Sequence, residues 1–369
     1  MKSIGLLKEP HFEERISLLP QEVERMVKEL KAKVFFEAGF GSKLHIPDKA
    51  YQDVGGEIVS KEAIYKTCEL LVSINTLYEG EELKGTSAFI GIFNMLFHRN
   101  RLENYMGTMA SIHSLDLLPR STLAQSMDVL SSMASISGYK AVIKAAELYH
   151  NTLPMFTTAA GTLRPAKILV LGAGVAGLQA IATAKRLGAI VEAFDVRSSA
   201  KEEVKSLGAK FIEVPGYQES NTAGGYAVVQ TEEYLQKQKA LIKAHIEKSS
   251  IVIATANIPG RKAPLLIEKD TVENMVSGAV IIDLAAEQGG NCELTQEGKI
   301  REHHGVKIVG NSHLARELPQ AASQLLSTNY FNFIKHMLHF SGTDDSLLKA
   351  CTVLENGKLV HPAFIENQN

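Results

Sequence analysis

Cysteine is scarce in this 369-residue chain: Cys68, Cys292 and Cys351 are an odd number and lie far apart. They form neither a disulfide framework nor a zinc-ligand pattern, which points to a reducing compartment. No apolar run approaches the length needed to cross a bilayer. The opening Met1-Lys2-Ser3-Ile4-Gly5-Leu6-Leu7-Lys8 is too briefly apolar for a signal peptide and reads as a first β-strand. Net charge is only −2, so no global field draws the chain to nucleic acid, and none is expected as a partner. There is no internal repeat and no low-complexity segment. A recognisable acid/base setting is also missing. His11, His45, His98, His113, His150 and His245 are scattered, and His303-His304 and His336/His339 have no third ligand at useful spacing. The scattered ones read as ordinary surface or core histidines and the pairs as solvated, and no metal is expected. Glu13-Glu14 and Asp344-Asp345 read as exposed faces and loops.

What is present is an ordinary soluble composition, 45% hydrophobic and 22% charged, in a chain long enough for two domains. One motif stands out. The apolar strand 167–171 runs into Gly172-Ala173-Gly174-Val175-Ala176-Gly177, and a helical pattern starts at once. Gly172 would allow the tight turn, Gly174 the approach of a pyrophosphate, and Gly177 close helix–strand packing. The helix N-terminus then offers N–H groups and partial positive charge to phosphates. A second strand, 190–194, ends on Asp195, where a carboxylate would bind the ribose hydroxyls. Facing a 2′-phosphate at about 4 Å it would repel each unit of charge by about 4 kcal/mol at an effective dielectric of 20. Asp195 therefore favours NAD(H) over NADP(H), although Arg197 argues the other way.

Near-continuous apolar runs at 167–171, 190–195, 210–214, 251–256, 279–284 and 306–310 suit parallel strands covered on both faces, in the order 3-2-1-4-5-6. Runs at 3–7, 34–37, 70–74 and 88–93 alternate with helical patterns such as 20–30 and predict a second, flavodoxin-like domain. Long helices are expected over 125–149 and 314–338. Asn356-Gly357 in the tail is a hairpin signal. The expected fold is α/β: two Rossmann-like, doubly wound parallel-sheet domains joined by two long helices. One comprises 1–128 plus 320–369 and the other, NAD(H)-binding, 129–319. The cleft between them is the default active site.

Two segments invite chemistry. In 120–131, Arg120, Ser121, Thr122, Gln125, Asp128 and Ser131 make a dense polar cluster. It suits the carboxamide and ribose of a nicotinamide. It equally suits plain helix capping, with Ser121 as N-cap and Gln125 and Asp128 on one wet face. The run Ala223-Gly224-Gly225-Tyr226-Ala227 suits a flexible flap or an ordinary surface loop.

The runs R-S-T-L-A-Q-S-M-D-V-L-S-S-M, G-A-G-V-A-G-L-Q-A-I-A-T-A-K-R-L-G-A, F-D-V-R, G-G-Y-A and D-L-A-A-E-Q-G-G-N-C, with G-K-L-V-H-P in the tail, resemble the NAD(H)-binding components of proton-translocating NAD(P) transhydrogenases. The resemblance spans nearly the whole chain and looks like the split-subunit form. It implies direct hydride transfer from NADH to NADP+ held by a partner, so no proton need be exchanged at the reacting carbon. It implies a catalytic set of Arg120, Gln125, Asp128 and Tyr226. Arg120 and Ser131 would meet the carboxamide, with Ser121 and Thr122 beside them, and Gln125 would bridge toward the second nucleotide. Val175 would lie at the pyrophosphate, and Asp195, Val196 and Arg197 at the adenosine ribose. Gly225 and Tyr226 would sit on a loop that folds over the nucleotide, with Gln238 behind it. Asn257 and Glu287 complete the expected cofactor set. The implied partners are a membrane-spanning subunit, the NADP(H)-binding domain of a beta subunit, and a second copy of the chain. The implied place is the cytoplasm, peripheral to the inner membrane.

The chain departs from that pattern at Val228 and Val229, where the family tends to have Lys-Glu, at Asn257, where it has Leu, and at 73–77. Two rivals share the nucleotide site. An alanine dehydrogenase has Arg15 in common, but resemblance to it would require a Lys near Ser73 or Asn75 and a His near Asn94, and neither is present. A non-catalytic NAD(H)-sensing module predicts binding without turnover.

Overall fold

Short strands of two to five residues, the central ones apolar, build two large sheets and a separate two-stranded hairpin in this computed structural model, which describes residues 2–76, 88–215, 231–258, 260–340 and 345–365. The chain divides into two compact units: Met1–Met133 with Arg316–Asn369, and Ala134–Ala315.

The first unit holds β1 (Ser3–Leu6), β2 (Lys33–Phe36), β3 (Gly56–Ile58), β4 (Leu70–Val72), β5 (Ala88–Gly91) and β6 (Ser111–Ser114). After the nine strands of the second unit it adds β16 (Thr352–Glu355) and β17 (Lys358–Leu359). The order is β17-β16-β6-β5-β4-β1-β2-β3. β1 to β6 pair in parallel, while β16 and β17 run antiparallel. The sequence pattern missed β3 and β6. β3 has only three residues, two of them exposed, and three of the four residues of β6 are polar, so neither shows an apolar run. The Asn356-Gly357 signal is a two-residue turn with φ +48° and +73°, as a twisted hairpin requires. The helix Pro20–Glu29 begins on a proline, whose fixed φ suits a first helical turn, and it buries Val23 and Met26, three residues apart on one face. The expected helix 314–338 is two pieces, a 3-10 turn Leu314–Glu317 and the α-helix Pro319–His339, because Pro319 has no N–H to continue the first.

His113 of β6 ties the C-terminal return to the sheet. Thr352 donates its hydroxyl to the Leu348 carbonyl, so its oxygen accepts from His113 Nδ1 at 2.9 Å. Burial pushes the imidazole down to about 4. The folded pKa lies below the unfolded one, so the unfolded chain takes up the proton first. Stability therefore falls as pH drops through about 6.5 toward 4, by up to about 3 kcal/mol. Urea unfolding at pH 7 and pH 5 should show this loss, and His113→Gln should flatten it. An identical slope in the variant would remove His113 as the cause.

The second unit holds the exposed hairpin β7 (Phe156–Thr158) and β8 (Gly161–Leu163), then β9 (Lys167–Leu171), β10 (Ile190–Phe194), β11 (Lys210–Phe211), β12 (Ile251–Ala254), β13 (Val280–Asp283), β14 (Lys299–His303) and β15 (Val306–Gly310). The larger sheet has the order β11-β10-β9-β12-β13-β15-β14. The six expected strands are present in the order 3-2-1-4-5-6, although the third is only two residues long. β14 was not expected: it pairs antiparallel to β15 at the edge, and four of its five residues are exposed. Every residue of β12 and β13 is buried. Burial of each large aliphatic side chain there is worth roughly 1.5–3 kcal/mol. The order reverses between β9 and β12, and the crevice at their carboxyl ends is where such sheets take ligands. Among the described residues no helix is long and apolar enough to cross a membrane.

Candidate nucleotide-binding site

The turn after β9 is built as the glycine spacing predicts. Gly172 has φ +96°, a left-handed conformation, and a Cβ there would lie 2.7 Å from Thr255 Oγ1. A Cβ on Gly177 would stand 1.9 Å from the Gly172 carbonyl oxygen. Gly174 is different: among the described residues, its chain neighbours aside, nothing lies within 4 Å of its would-be Cβ. It opens the helix Val175–Arg186, whose N-terminus has no side-chain cap and no acidic residue in its first turn. The first N–H groups of such a helix lack intrahelical partners and attract an anion. Val175 and Val196 beside the turn are exposed at 41% and 55%.

Asp195 follows β10 as expected, but its carboxylate already serves the turn. Oδ2 accepts the Ala173 N–H at 2.7 Å, and Oδ1 accepts the Arg197 N–H at 2.8 Å. The Arg197 guanidinium closes on both oxygens at 3.0 and 3.1 Å. Burial disfavours the charged form, but the Arg197 side chain and the two backbone N–H groups outweigh it, and Asp195 is held below the usual carboxylate range. The acid fixes the loop and neutralises the arginine at once.

Three supports surround the turn, and sequence reading missed the parts played by Thr255 and Gly138. Thr255, after β12, donates to the Gly172 and Leu171 carbonyls at 3.0 and 3.2 Å. Gly138, inside the long helix that starts at Val129, packs against the start of the helix after the glycine turn: a Cβ there would be 2.1 Å from the Ala176 carbonyl oxygen. Asn291 is fully buried and clips the segment after β12, accepting from Ala256 N–H at 3.0 Å and donating to the Ala256 and Pro264 carbonyls at 2.8 and 2.9 Å. Asp283 in turn accepts from the N–H groups of Ala285, Asn291 and Cys292 and from Thr295 Oγ1. Burial is its largest influence and pushes it up despite these donors. A strand-terminal Thr and a buried Asn leave no periodic trace, so only the fold reveals them. The adjacent Asn257 is exposed, Gln238 is half-buried on the helix Glu232–Ile246, and Glu287 Oε2 lies 3.6 Å from His313 Nε2. Gly225, Tyr226, Val228 and Val229 lie outside the described residues, as do Leu77 and Asp344.

In the first unit, the segment 120–131 corrects the helical reading. The α-helix starts at Val129, not at 125, and runs to Leu148. Asp128 is its cap: Oδ1 accepts the Ser131 N–H at 2.9 Å and Oδ2 accepts the Ser131 hydroxyl at 2.6 Å. Ser121 instead receives the Ala124 N–H at 3.3 Å, so it is not the N-cap of the long helix. Gln125 lies on a 3-10 turn, Gln125–Met127, so it and Asp128 do not share a face of one α-helix. Asn329 and Asn332 hold the turn by donating to the Ser126 carbonyl at 2.9 and 3.1 Å. Arg120, Ser121, Thr122 and Gln125 are exposed on this pinned segment.

The acidic pair Glu13-Glu14 also needs correction. Glu13 is fully buried. Arg15 grips it with two bonds of 2.7 Å, Asn75 Nδ2 donates at 2.7 Å and Arg316 Nε at 3.1 Å. Burial opposes its ionisation, but the two arginines win and hold it below the usual range. Arg15 is thereby committed to a carboxylate of its own chain. His336, read as solvated, is buried and pairs with Asp345 at 2.6 Å, and Asp345 caps the helix Ser346–Cys351 rather than lying free in a loop.

Residues 5–137 match the N-terminal domain model of alanine dehydrogenase/PNT, and residues 141–362 match the C-terminal domain model. The chain is 40% identical over 368 residues to the first portion of the NAD(P) transhydrogenase subunit alpha of Rhodospirillum rubrum, covering 95% of this chain and 96% of that one. The crystal structure of transhydrogenase from Sinorhizobium meliloti superposes with a TM-score of 0.84 at 38% identity, over 98% of this chain and all of that one. An L-alanine dehydrogenase structure gives 0.81 at 22% identity, over 99% of this chain and 98% of that one, a likeness of fold. The chain belongs to the alanine dehydrogenase/PNT family and, within it, to the NAD(P) transhydrogenase alpha subunits.

Proposed function

We propose that this chain is the NAD(H)-binding component of a proton-translocating NAD(P) transhydrogenase. NADH bound at the Gly172–Gly177 turn gives its hydride directly to NADP+ held by the NADP(H)-binding domain of a partner beta subunit. A membrane-spanning partner subunit couples the transfer to proton movement. The chain works as a homodimer at the cytoplasmic face of the inner membrane. The observation that carries the reading is the open space at Gly174, on an uncapped helix N-terminus beside Asp195, in a chain so similar along its length to transhydrogenase alpha subunits.

The residues present fit a dinucleotide. The helix N-terminus holds the pyrophosphate, with Val175 against it. Asp195, Val196 and Arg197 border the ribose. Arg120 and Ser131 hold the carboxamide, with Ser121 and Thr122 beside them. Asp128 fixes Ser131 and the start of the helix. Gln125 sets the placement of the ring toward the second nucleotide. By the resemblance, Gly225 and Tyr226 would fold over the nucleotide, and Gln238, Asn257 and Glu287 would complete the surround. When bound, NADH supplies the hydride. The chain positions the ring and excludes water, and moves no proton at the reacting carbon.

The alanine dehydrogenase reading lacks a Lys near Ser73 or Asn75 and a His at Asn94. Asn75 instead donates to Glu13, the same carboxylate that binds Arg15 Nε and Nη2. Stopped-flow transfer from NADH to NADP+ in the presence of the NADP-binding partner tests the function. Wild type should transfer hydride. Gln125→Asn should bind NADH within about twofold of wild type but transfer at least about tenfold more slowly, a loss of ~1.4 kcal/mol confined to the transition state. Binding without transfer in wild type would favour the sensing module, and alanine-dependent NAD+ reduction would favour the dehydrogenase.

A further inference from the structure

We propose that Glu273, His303 and His304 form a surface site for a zinc-type divalent ion, at the opposite end of the strands from the nucleotide turn. Their ligand atoms lie within 4.8 Å of one another, and His303 Nε2 is already 3.0 Å from Glu273 Oε1.

The local backbone explains why two adjacent histidines converge. Consecutive side chains on a strand point to opposite faces. His303 ends β14, but His304 does not continue it. His304 and Gly305 form the two-residue turn into β15, with φ +50° and +74°. Gly or Asn is the usual occupant of such a position, and a His there gives up backbone comfort. The result is that the two imidazoles lie side by side, ring centroids 4.7 Å apart and planes at 35°. The tip is fixed: Gly278 N–H donates to the Gly305 carbonyl at 2.8 Å, and a Cβ on Gly305 would be 2.5 Å from Ser277 Oγ. The helix Lys269–Glu273 ends four residues before Ser277, and its last residue supplies the carboxylate. Glu273 stands thirty residues before His303, so the spacing that ruled out a metal in the sequence hid the third ligand.

Tetrahedral zinc with bonds of about 2.0–2.1 Å places its donors roughly 3.4 Å apart. The His303–Glu273 pair, at 3.0 Å, is already inside that spacing. The other separations, none above 4.8 Å, close by at most about 1.4 Å through side-chain rotation, and water fills the fourth position. Lys269 Nζ, 3.8 Å from Glu273 Oε1, is the local competitor and is itself exposed. Two imidazoles and one carboxylate suit zinc or its transition-metal neighbours. Magnesium and calcium prefer all-oxygen sites. Gly172 follows the carboxyl end of β9, whereas His304 precedes the amino end of β15, which runs in the same direction. The ion would therefore staple the edge strand β14 to a helix without touching bound nucleotide.

Titration of the full chain with Zn2+ against a chromophoric zinc indicator tests this. Wild type should bind one micromolar equivalent that millimolar Mg2+ or Ca2+ does not displace. His303→Gln and Glu273→Gln should each weaken it at least tenfold. His304→Asn, whose side chain suits the left-handed backbone, should do the same without disturbing the fold. NADH affinity should be unchanged throughout. Zn2+ should also slow amide exchange in β14 of wild type and not of the variants. Zinc affinity equal in wild type and in the His303→Gln/His304→Asn double variant would overturn the site, as would no micromolar binding at all.

Discussion

Gly174→Ala is expected to keep the fold and to weaken NADH binding at least about tenfold, a loss of ~1.4 kcal/mol or more. Its φ of −78° is open to any residue, and among the described residues an added methyl meets no atom within 4 Å beyond its own chain neighbours. The methyl therefore costs the free protein little. It stands where the pyrophosphate must approach the backbone. Gly177→Ala is the contrast. Its methyl would lie 1.9 Å from a backbone oxygen that Thr255 holds in place, so helix and turn must separate. That variant should lose several degrees of thermal stability together with its binding. The chain has no tryptophan, so the emission of NADH can be followed without an indole background. Thermal unfolding checks the first half of the expectation and nucleotide titration the second. Wild-type affinity in Gly174→Ala would mean that the ligand does not use this turn.

The second large effect concerns which nucleotide binds. Asp195→Asn should shift the NADPH:NADH affinity ratio toward NADPH at least about tenfold. In the native chain the carboxylate repels a 2′-phosphate directly and also occupies the nearby Arg197 with three bonds. Full repulsion would be about 4 kcal/mol at about 4 Å. The neutralising Arg197, half exposed, reduces it, so a tenfold change is the floor rather than the ceiling. Removing the charge releases Arg197 to meet the phosphate, while an amide oxygen can still accept the Ala173 N–H. The shift should shrink as salt rises, because the exposed arginine is screened. Competitive titration with both reduced nucleotides at low and high salt measures it. An unchanged ratio would place the ribose away from Asp195.

The parts of this protein that were legible in the sequence are those written in short-range pattern. Buried parallel strands must be apolar throughout, so β9, β10, β12, β13 and β15 announce themselves. The glycine spacing works because each glycine answers a different steric demand, and the left-handed φ of Gly172 and the crowding at Gly177 show two of those demands directly. Edge strands escape this logic. β14 reads Lys-Ile-Arg-Glu-His because solvent covers it, and nothing in such a run separates it from a loop.

By itself, then, the chain's order of residues settled the fold class, the nucleotide turn and the acid that follows β10, since all of these depend on neighbours within a few positions. Tertiary structure alone decided what each polar side chain does. Asp128 became a cap rather than a helical face, Glu13 a buried counter-ion for Arg15 rather than a surface charge, and Glu273 the neighbour of two histidines thirty residues away. Partners brought together by chain reversal leave no periodic signal, because the energy that pairs them is electrostatic and local in space while their separation along the chain is arbitrary.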